Sequence, residues 1–312
     1  MTTRIPHLDG DRLEALGITP AAAVASIEQC IRGAADGTVQ AAPKATIQPQ
    51  DGRYIMATLA ASDDPPVVAV KSLVLNQENA AIGLPPINAI VTLLDSRTGQ
   101  PLATLDGNWI TAIRTAALSA CAAKRLARPD AARAAFIGTG VQGRSHLKAF
   151  AWLYGLSEVR AFGRGAANTG AFCDLAQDLG LQPILAASAD EAVEGADIIV
   201  SSVPHSGDFA PRLDAWRLAP GTFVAMADLG RAWEPSGLGA FDRLFIDDLE
   251  QEAAMAAPLA PREMISGDLA GLVLDRVEGR RTPADRTAFL FRGHALGDLA
   301  LSVAAWQRHT AR

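Results

Sequence analysis

The sequence predicts an α/β protein with two domains, one of which is built on a doubly wound parallel sheet. From residue 134 onward, strand-like segments alternate with helix-like segments, which is typical of strand–helix–strand units with right-handed crossovers. Before that point, short strand-like segments are separated by turn signals, which indicates a mostly antiparallel sheet. A length of 312 residues is sufficient for two separate cores.

The first domain is predicted to begin with an amphipathic helix over residues 19–37. Thr19 is a suitable N-cap, and Pro20 suits the first turn of a helix. Strands are predicted at residues 45–48, 54–59, 67–75 and 89–94. We expect these strands to form a mostly antiparallel sheet with one long helix across it.

The second domain follows a connecting helix predicted over residues 106–126. Its strands are predicted at residues 134–137, 159–162, 197–201, 222–226 and 244–246. The chain closes with an amphipathic helix over residues 294–306, which we expect to return to the first domain. The predicted boundaries are residues 1–114 plus 293–312 for the first domain and residues 115–292 for the second.

The composition argues against several classes of partner. A net charge of −6 gives no basis for binding nucleic acid or an acidic membrane surface. No segment approaches the roughly 20 apolar residues that a membrane span requires, and residues 1–6 lack the apolar segment of a signal peptide. The three cysteines share no metal-ligand spacing, so we expect reduced thiols, no metal site and a cytoplasmic location.

A glycine-rich segment between a strand and a helix predicts a dinucleotide-binding site of the Rossmann type. Residues 134–146 read AAFIGTGVQGRSH, in which an apolar strand ends at Gly138 and two further glycines follow. Gly138 permits a tight turn, Gly140 lets the backbone approach a pyrophosphate, and Gly143 lets the helix pack closely on the strand. The phosphates are expected at the helix N-terminus. The alternative is a plain glycine-rich turn.

The end of the next predicted strand favours NADP(H) over NAD(H) as the cofactor. In dinucleotide-binding folds, an acidic residue about 20 positions beyond the glycines binds the ribose 2′-hydroxyl. Here Gly163 replaces the acid, and Arg164 offers a guanidinium that can hold a 2′-phosphate through paired N–H donors. If Arg164 is instead a solvated surface residue, NAD(H) remains possible.

Two cationic residues stand in otherwise apolar segments of the first domain. Lys71 lies within the predicted strand VVAVKSLV, where a lysine either reaches solvent or serves a pocket. Arg114 lies on an alanine-rich helix near the domain junction, where its guanidinium can bind a carboxylate with two nitrogens. An interdomain salt bridge is the alternative for Arg114.

The chain resembles the ornithine cyclodeaminase/mu-crystallin family. Residues 106–120 read DGNWITAIRTAALSA and residues 137–142 read IGTGVQ; the arginine-threonine-alanine-alanine run and the glutamine after the glycines are distinctive family marks. The similarity extends through GLPP at residues 83–86 to GHALGD at residues 293–298. Members include ornithine cyclodeaminase, which converts ornithine to proline and ammonia with a recycled NAD, cyclic imine (ketimine) reductases, an alanine dehydrogenase and mu-crystallin. All act on a carbon–nitrogen bond next to a carboxylate.

The resemblance implies roles for individual residues and a homodimer formed through the first domain. Lys71 matches the family lysine that contacts the substrate carboxylate and assists proton transfer, and Arg114 matches the carboxylate-binding arginine. Lys44 stands where many relatives have a second arginine, and a lysine keeps the charge without the bidentate fork. Further substrate-site candidates are Met56 and Asn88. The cofactor-site candidates are Thr115, Gly138, Thr139, Gly140, Val141, Gln142, Gly143, Arg164, Ser202, Val203 and, near the nicotinamide end, Asp298.

Two positions depart from ornithine cyclodeaminase. Tyr54 stands where that enzyme has a glutamate in its pocket strand. In place of its catalytic aspartate the alignment puts Leu229, with Asp228 one residue earlier, and a one-residue gap restores Asp228. The amine of ornithine needs acids to position it and to manage its proton during cyclisation, so these departures disfavour the cyclodeaminase reaction.

The sequence therefore predicts an NADPH-dependent reductase of a small cyclic or N-alkyl imino acid. Arg114 and Lys44 are expected to hold the substrate carboxylate, and Lys71 or Asp228 to manage the imine proton. The first alternative is ornithine cyclodeaminase activity. The second is a protein that binds a small ligand and has lost catalysis.

Overall fold

A computed structural model of the chain describes residues 5–204, 212–255 and 257–312. The expectation about a signal peptide rests in part on residues 1–4, which lie outside the described residues. The chain divides into two compact units, Met1–Arg114 with His294–Arg312, and Thr115–Gly293. In the described part of the chain, no helix has the length and apolar character needed to cross a bilayer.

Several helices begin at a residue whose side chain caps them, whereas α4 and α5 begin after glycines without a side-chain cap. Thr19 accepts a hydrogen bond from the backbone N–H of Ala22, as expected of an N-cap. The α-helices are α1 (Gly10–Ala15), α2 (Pro20–Ala35), α3 (Gly107–Leu126), α4 (Val141–Leu153), α5 (Ala166–Asp178), α6 (Ala189–Val193), α7 (Leu249–Ala253), α8 (Leu269–Val273) and α9 (Ala295–Thr310). Short 3₁₀ helices are Gln77–Ile82, Ala215–Arg217, Pro235–Ala240 and Arg262–Met264. The three long helices predicted over residues 19–37, 106–126 and 294–306 correspond to α2, α3 and α9.

The first unit contains a seven-stranded, mostly antiparallel sheet. Its strands are β1 (His7–Leu8), β2 (Val39–Ala41), β3 (Ala45–Ile47), β4 (Tyr54–Asp63), β5 (Pro66–Leu75), β6 (Ile87–Asp95) and β7 (Pro101–Asp106). The order is β1-β7-β6-β5-β4-β2, with β3 also paired to β4 and with β1 parallel to β7. The β4–β5 register pairs Thr58 with Lys71, so both side chains point to the same face of the sheet.

Helices α2 and α9 both lie in this unit; the first was predicted to cross the sheet and the second was expected to return from the end of the chain. Helix α9 packs against α2 and contacts β4 and β5. Val24, Ile27 and Ile31 form the buried stripe of α2, and Leu299 lies on the buried side of α9. The last helix therefore returns to the first unit, where it packs against α2, β4 and β5.

The second unit contains an eight-stranded sheet whose paired strands are all parallel. Its strands are β8 (Arg133–Ile137), β9 (Glu158–Phe162), β10 (Pro183–Leu185), β11 (Ile198–Ser201), β12 (Phe223–Met226), β13 (Arg243–Ile246), β14 (Ile265–Asp268) and β15 (Thr287–Leu290). The order is β10-β9-β8-β11-β12-β15-β13-β14. The order reverses between β8 and β11, and ligands of doubly wound sheets bind beyond the carboxyl ends of the strands at such a reversal.

Candidate active site

Lys71 is a buried lysine in the middle of β5. Strand alternation places it on the same face as Ala69 and Leu73, which are also buried. Only 1% of Lys71 is exposed, so the alternative that it extends to solvent is wrong. A lysine buried to this degree needs polar partners.

Asp298 supplies the partner and joins four elements of the first unit. Its Oδ1 lies 2.6 Å from Nζ of Lys71 in β5 and 3.1 Å from Nε of Arg114 in α3. Its Oδ2 accepts a hydrogen bond of 3.0 Å from the hydroxyl of Thr58 in β4. The hydroxyl of Thr111, also in α3, lies 3.4 Å from Nζ of Lys71. We call Lys71, Arg114 and Asp298 the buried charge cluster.

The buried charge cluster contains more positive than negative charge. Burial is the largest influence on Lys71 and lowers its pKa; Arg114 and Lys44 act in the same direction and Asp298 opposes them, so the pKa is about 8. Burial would raise the pKa of Asp298, but Lys71 and Arg114 together hold it below its usual value. The cluster as defined contains two cations and one carboxylate, a composition that suits the binding of a second carboxylate from a substrate.

The other substrate-site candidates differ in burial and in the face of the sheet on which they lie. Met56 shares the face of Thr58 on β4 and is buried. Lys44 is half-buried between β2 and β3, and its charge reaches Lys71. Asn88 pairs with Val74 in the sheet, so it points to the face opposite Lys71, where its amide donates to the carbonyl of Pro85. The structure therefore brings Arg114 and Lys71 together and leaves Asn88 outside the cluster.

The glycine-rich loop of the second unit fits a dinucleotide. Gly138 has φ of 105°, and a Cβ on Gly143 would lie 2.2 Å from the carbonyl oxygen of Gly138, so the turn and the close helix approach both require glycine. A Cβ on Gly140 would meet nothing within 4 Å, which leaves open space at the N-terminus of α4. The Oε1 atom of Gln142 is buried without a hydrogen-bond partner among the described residues. A bound cofactor could occupy this space and satisfy this atom.

The remaining cofactor-site candidates lie partly in this loop and partly on other elements. Thr139 is buried, Val141 is exposed beside the open space, and Thr115 is buried in α3. Ser202, which follows β11, donates from its hydroxyl to the carbonyl oxygen of Gly138. Asp298 was also a cofactor-site candidate, and the structure places it in the buried charge cluster of the first unit. In the described part of the chain, no cluster of three or more histidine, cysteine, aspartate or glutamate side chains could hold a metal ion.

The end of β9 has hydroxyl groups where an acidic side chain would be expected. A Cβ on Gly163 would lie 2.3 Å from the hydroxyl oxygen of Thr139 and 3.1 Å from that of Thr169. The two hydroxyl oxygens are 3.3 Å apart. Gly163 is therefore required because Thr139 packs against its α-carbon, and Arg164 follows as an exposed residue.

Asp228 is a buried acid at the carboxyl end of β12. Its carboxylate accepts hydrogen bonds from the hydroxyl of Ser201 (3.0 Å) and the backbone N–H of Val203 (3.3 Å). Burial raises its pKa, although these hydrogen bonds oppose the increase. The indole N–H of Trp233 donates to Ser201, and Leu229 has the left-handed backbone conformation.

Three polar side chains at these sites were not identified from the sequence. Thr58 and Thr111 contact the buried charge cluster, and Ser201 contacts Asp228. Thr58 lies within a predicted strand, but its position opposite Lys71 can be known only once the register between β4 and β5 is known. Ser201 ends a predicted buried strand, and a polar residue at that point is the one local signal of a site beyond the carboxyl ends of the strands.

Comparison with known proteins identifies the family. The model described as the ornithine cyclodeaminase/mu-crystallin family matches residues 14–305. A putative dehydrogenase of Rhizobium meliloti (strain 1021) is 32% identical over 247 residues, which cover 75% of this chain and 74% of that protein. A Delta(1)-pyrroline-2-carboxylate reductase of Bacillus cereus (strain ATCC 10987 / NRS 248) is 28% identical over 266 residues, which cover 78% of each protein.

A solved structure shares the whole fold. The Thermococcus litoralis Delta(1)-pyrroline-2-carboxylate reductase, in complex with NADH and L-proline, matches with a TM-score of 0.89 and 25% identity and covers 98% of both chains. The chain belongs to the ornithine cyclodeaminase/mu-crystallin family. It is an NAD(P)-dependent enzyme of that family, and the predicted fold class is confirmed.

Proposed function

We propose that this enzyme reduces the C=N bond of a small cyclic imino acid with NADPH. The observation that carries the proposal is the buried charge cluster, in which Lys71 and Arg114 lie side by side against Asp298 and so form a buried cationic site suited to a substrate carboxylate. The Bacillus cereus and Thermococcus litoralis relatives are named as reductases of a five-membered cyclic imino acid, which supports the same substrate class.

We assign a role to each side chain of the buried charge cluster and to Lys44. Arg114 binds the substrate carboxylate with its guanidinium, and Lys44 adds a second positive charge at the half-buried edge. Lys71 donates a proton to the imine nitrogen, since a pKa of about 8 leaves it protonated yet acidic enough to transfer a proton near neutral pH. Asp298 holds the Lys71 ammonium in place.

The cofactor, when bound, supplies a hydride to the imine carbon, and the product is the cyclic amino acid. Residues of the glycine-rich loop, with Ser202 and Val203 after β11, hold its pyrophosphate and ribose groups. Arg164 binds the 2′-phosphate, and this contact gives the preference for NADP(H). The Thermococcus litoralis structure contains NADH, so we attribute the preference to residues of this chain, Gly163 and Arg164, and not to the family as a whole.

We also propose a homodimer formed through the open face of the first sheet. Ile47, Leu59, Val74 and Ile90 are each at least 38% exposed there, and isolated proteins rarely expose such a patch. Light scattering should report twice the mass of one chain. A Leu59→Asp variant should reduce it toward the mass of one chain, and an unchanged mass for that variant would place the contact elsewhere.

The function is tested by loss of NADPH absorbance on addition of five- and six-membered cyclic imino acids. Turnover should be observed, and Arg114→Ala should raise KM by about 100-fold, because the carboxylate loses its bidentate partner. The control is Lys124→Ala, which removes an exposed cation from the same helix. No turnover by the parent with either cofactor would contradict the proposal.

Ornithine cyclodeaminase activity is the second candidate, and it is favoured by Asp228. This acid is buried at the end of β12 with a raised pKa, which suits a group that exchanges a proton with an amine. Ammonia release from ornithine without net consumption of cofactor, abolished in Asp228→Asn, would establish this activity.

A further inference from the structure

A second arginine lies close to the predicted position of the 2′-phosphate. Arg144, near the start of α4, donates from Nη1 to the carbonyl oxygen of Thr139 at 3.1 Å and to the amide oxygen of Asn168 at 3.3 Å. Asn168 lies in the first turn of α5, four residues after Arg164. The Arg144 guanidinium is therefore held on the side of α4 that faces the start of α5.

In the part of the chain that the structure describes, no acid neutralises the charge of Arg144. Among the described residues its side chain contacts a carbonyl and an amide, and it forms no ion pair. Arg160, on the neighbouring strand β9, is different because its guanidinium is paired with Glu158 at 2.5 Å. A half-buried guanidinium held by neutral acceptors keeps its positive charge available for an anion.

Hydroxyl groups complete the same region. Thr139 and Thr169 fill the space beside Gly163, where a ribose-binding carboxylate would otherwise stand. Such a carboxylate would repel a phosphate, whereas hydroxyls can donate hydrogen bonds to it. The region thus combines hydroxyl donors with two arginines, and Gly163 stands where an acid would select an unphosphorylated ribose.

We propose that Arg144 and Arg164 together bind the 2′-phosphate of NADP(H). Asn168 is the positioning residue that orients Arg144, and the hydroxyls of Thr139 and Thr169 are additional donors. This inference rests on the proposed preference for NADP(H) and assigns that preference to a second specificity-determining residue on another helix.

Direct binding tests the inference without any substrate. Dissociation constants for NADPH, NADH, adenosine 2′,5′-bisphosphate and 5′-AMP are measured by calorimetry on the full chain. Arg144→Ala should weaken NADPH and the bisphosphate by about 10-fold and leave NADH and 5′-AMP within about twofold, because a charge-assisted contact to one phosphate is lost. Asn168→Ala should act in the same direction with a smaller effect.

Matched variants separate this role from a structural one. Arg160→Ala removes an equal charge that is already paired, and it should leave the NADPH/NADH ratio unchanged. If Arg144→Ala weakens NADPH and NADH equally, Arg144 merely supports the loop through the Thr139 carbonyl and the inference is wrong. Equal binding of both cofactors by the parent would also overturn it. These binding measurements do not involve imine reduction. The turnover assay with cyclic imino acids tests the proposed reaction separately.

Discussion

The Nζ atom of Lys71 lies 2.6 Å from Oδ1 of Asp298, and both side chains are buried in the first unit. Arg114 shares the same carboxylate oxygen, so one acid holds two cations from different elements. Buried pairs of this kind contribute little net stability, because the cost of desolvation offsets the attraction. We therefore attribute the presence of the Lys71–Asp298 and Arg114–Asp298 pairs to the chemistry that we assign to Lys71.

Replacing Lys71 with methionine should abolish reduction while preserving cofactor binding. Methionine fills a similar volume, but it cannot donate a proton or attract the substrate carboxylate. We expect kcat/KM to fall by at least about 100-fold, with the dissociation constant of NADPH unchanged because the cofactor loop belongs to the second unit. Undiminished kcat/KM in a folded Lys71→Met variant would remove Lys71 from the mechanism.

The pH dependence of the parent should follow the titration of Lys71. Because its pKa is about 8, the ammonium is depleted above that pH and kcat/KM should decline there. Asp298 raises this pKa, so Asp298→Asn should move the descending limb of the profile to lower pH. Thr111→Ser, which retains the neighbouring hydroxyl, is the control and should leave the limb in place. A limb that stays at about 8 in Asp298→Asn would assign the titration to another group.

Gly163 and Thr139 should behave as a coupled pair. Gly163→Asp alone should weaken both NADPH and NADH, because its Cβ would approach the Thr139 hydroxyl to 2.3 Å. Adding Thr139→Gly removes that hydroxyl, and the double variant should bind NADH in preference to NADPH since a carboxylate now meets the ribose. Dissociation constants of the two single variants and the double variant provide the measurement. Strict additivity of the two changes would contradict the packing argument.

His146 should make the second unit sensitive to acid. It is completely buried, with Nε2 2.9 Å from the Ser119 hydroxyl and Nδ1 2.8 Å from the Gln142 carbonyl oxygen. Burial lowers its pKa to about 4, against about 6.5 in the unfolded chain. The unfolded chain therefore binds the proton first, and stability that is complete above pH 6.5 is lost as the pH falls toward 4.

The expected loss attributable to His146 is about 3 kcal/mol across that range. About 2 kcal/mol of this loss falls between pH 7.5 and pH 5. Urea unfolding of the parent and of His146→Gln at these two pH values measures it, and the variant should show the smaller difference. His7→Gln, at an exposed histidine of the first unit, should respond as the parent does. Equal pH dependence in the parent and His146→Gln would show that His146 does not cause the loss.

Local sequence features were sufficient for the parts of the fold that depend on local structure. The N-cap Thr19, the glycines at 138, 140 and 143 and the alternation of β4 and β5 each specify a conformation within a few residues, and the structure contains them. Strand β15, between β12 and β13, was not predicted, because its order in the sheet depends on pairing with segments about 40 to 65 residues away.

The sequence by itself determined the two kinds of sheet, the glycine-rich loop, the missing acid at Gly163 and the cationic residues Lys71 and Arg114, since each is a matter of residue type and spacing. Tertiary structure alone decided that Asp298, 227 positions after Lys71, joins those two cations and that Asn88 faces away from them. It also decided that Arg144 reaches Asn168. Such contacts depend on strand register and helix packing, which no short segment encodes.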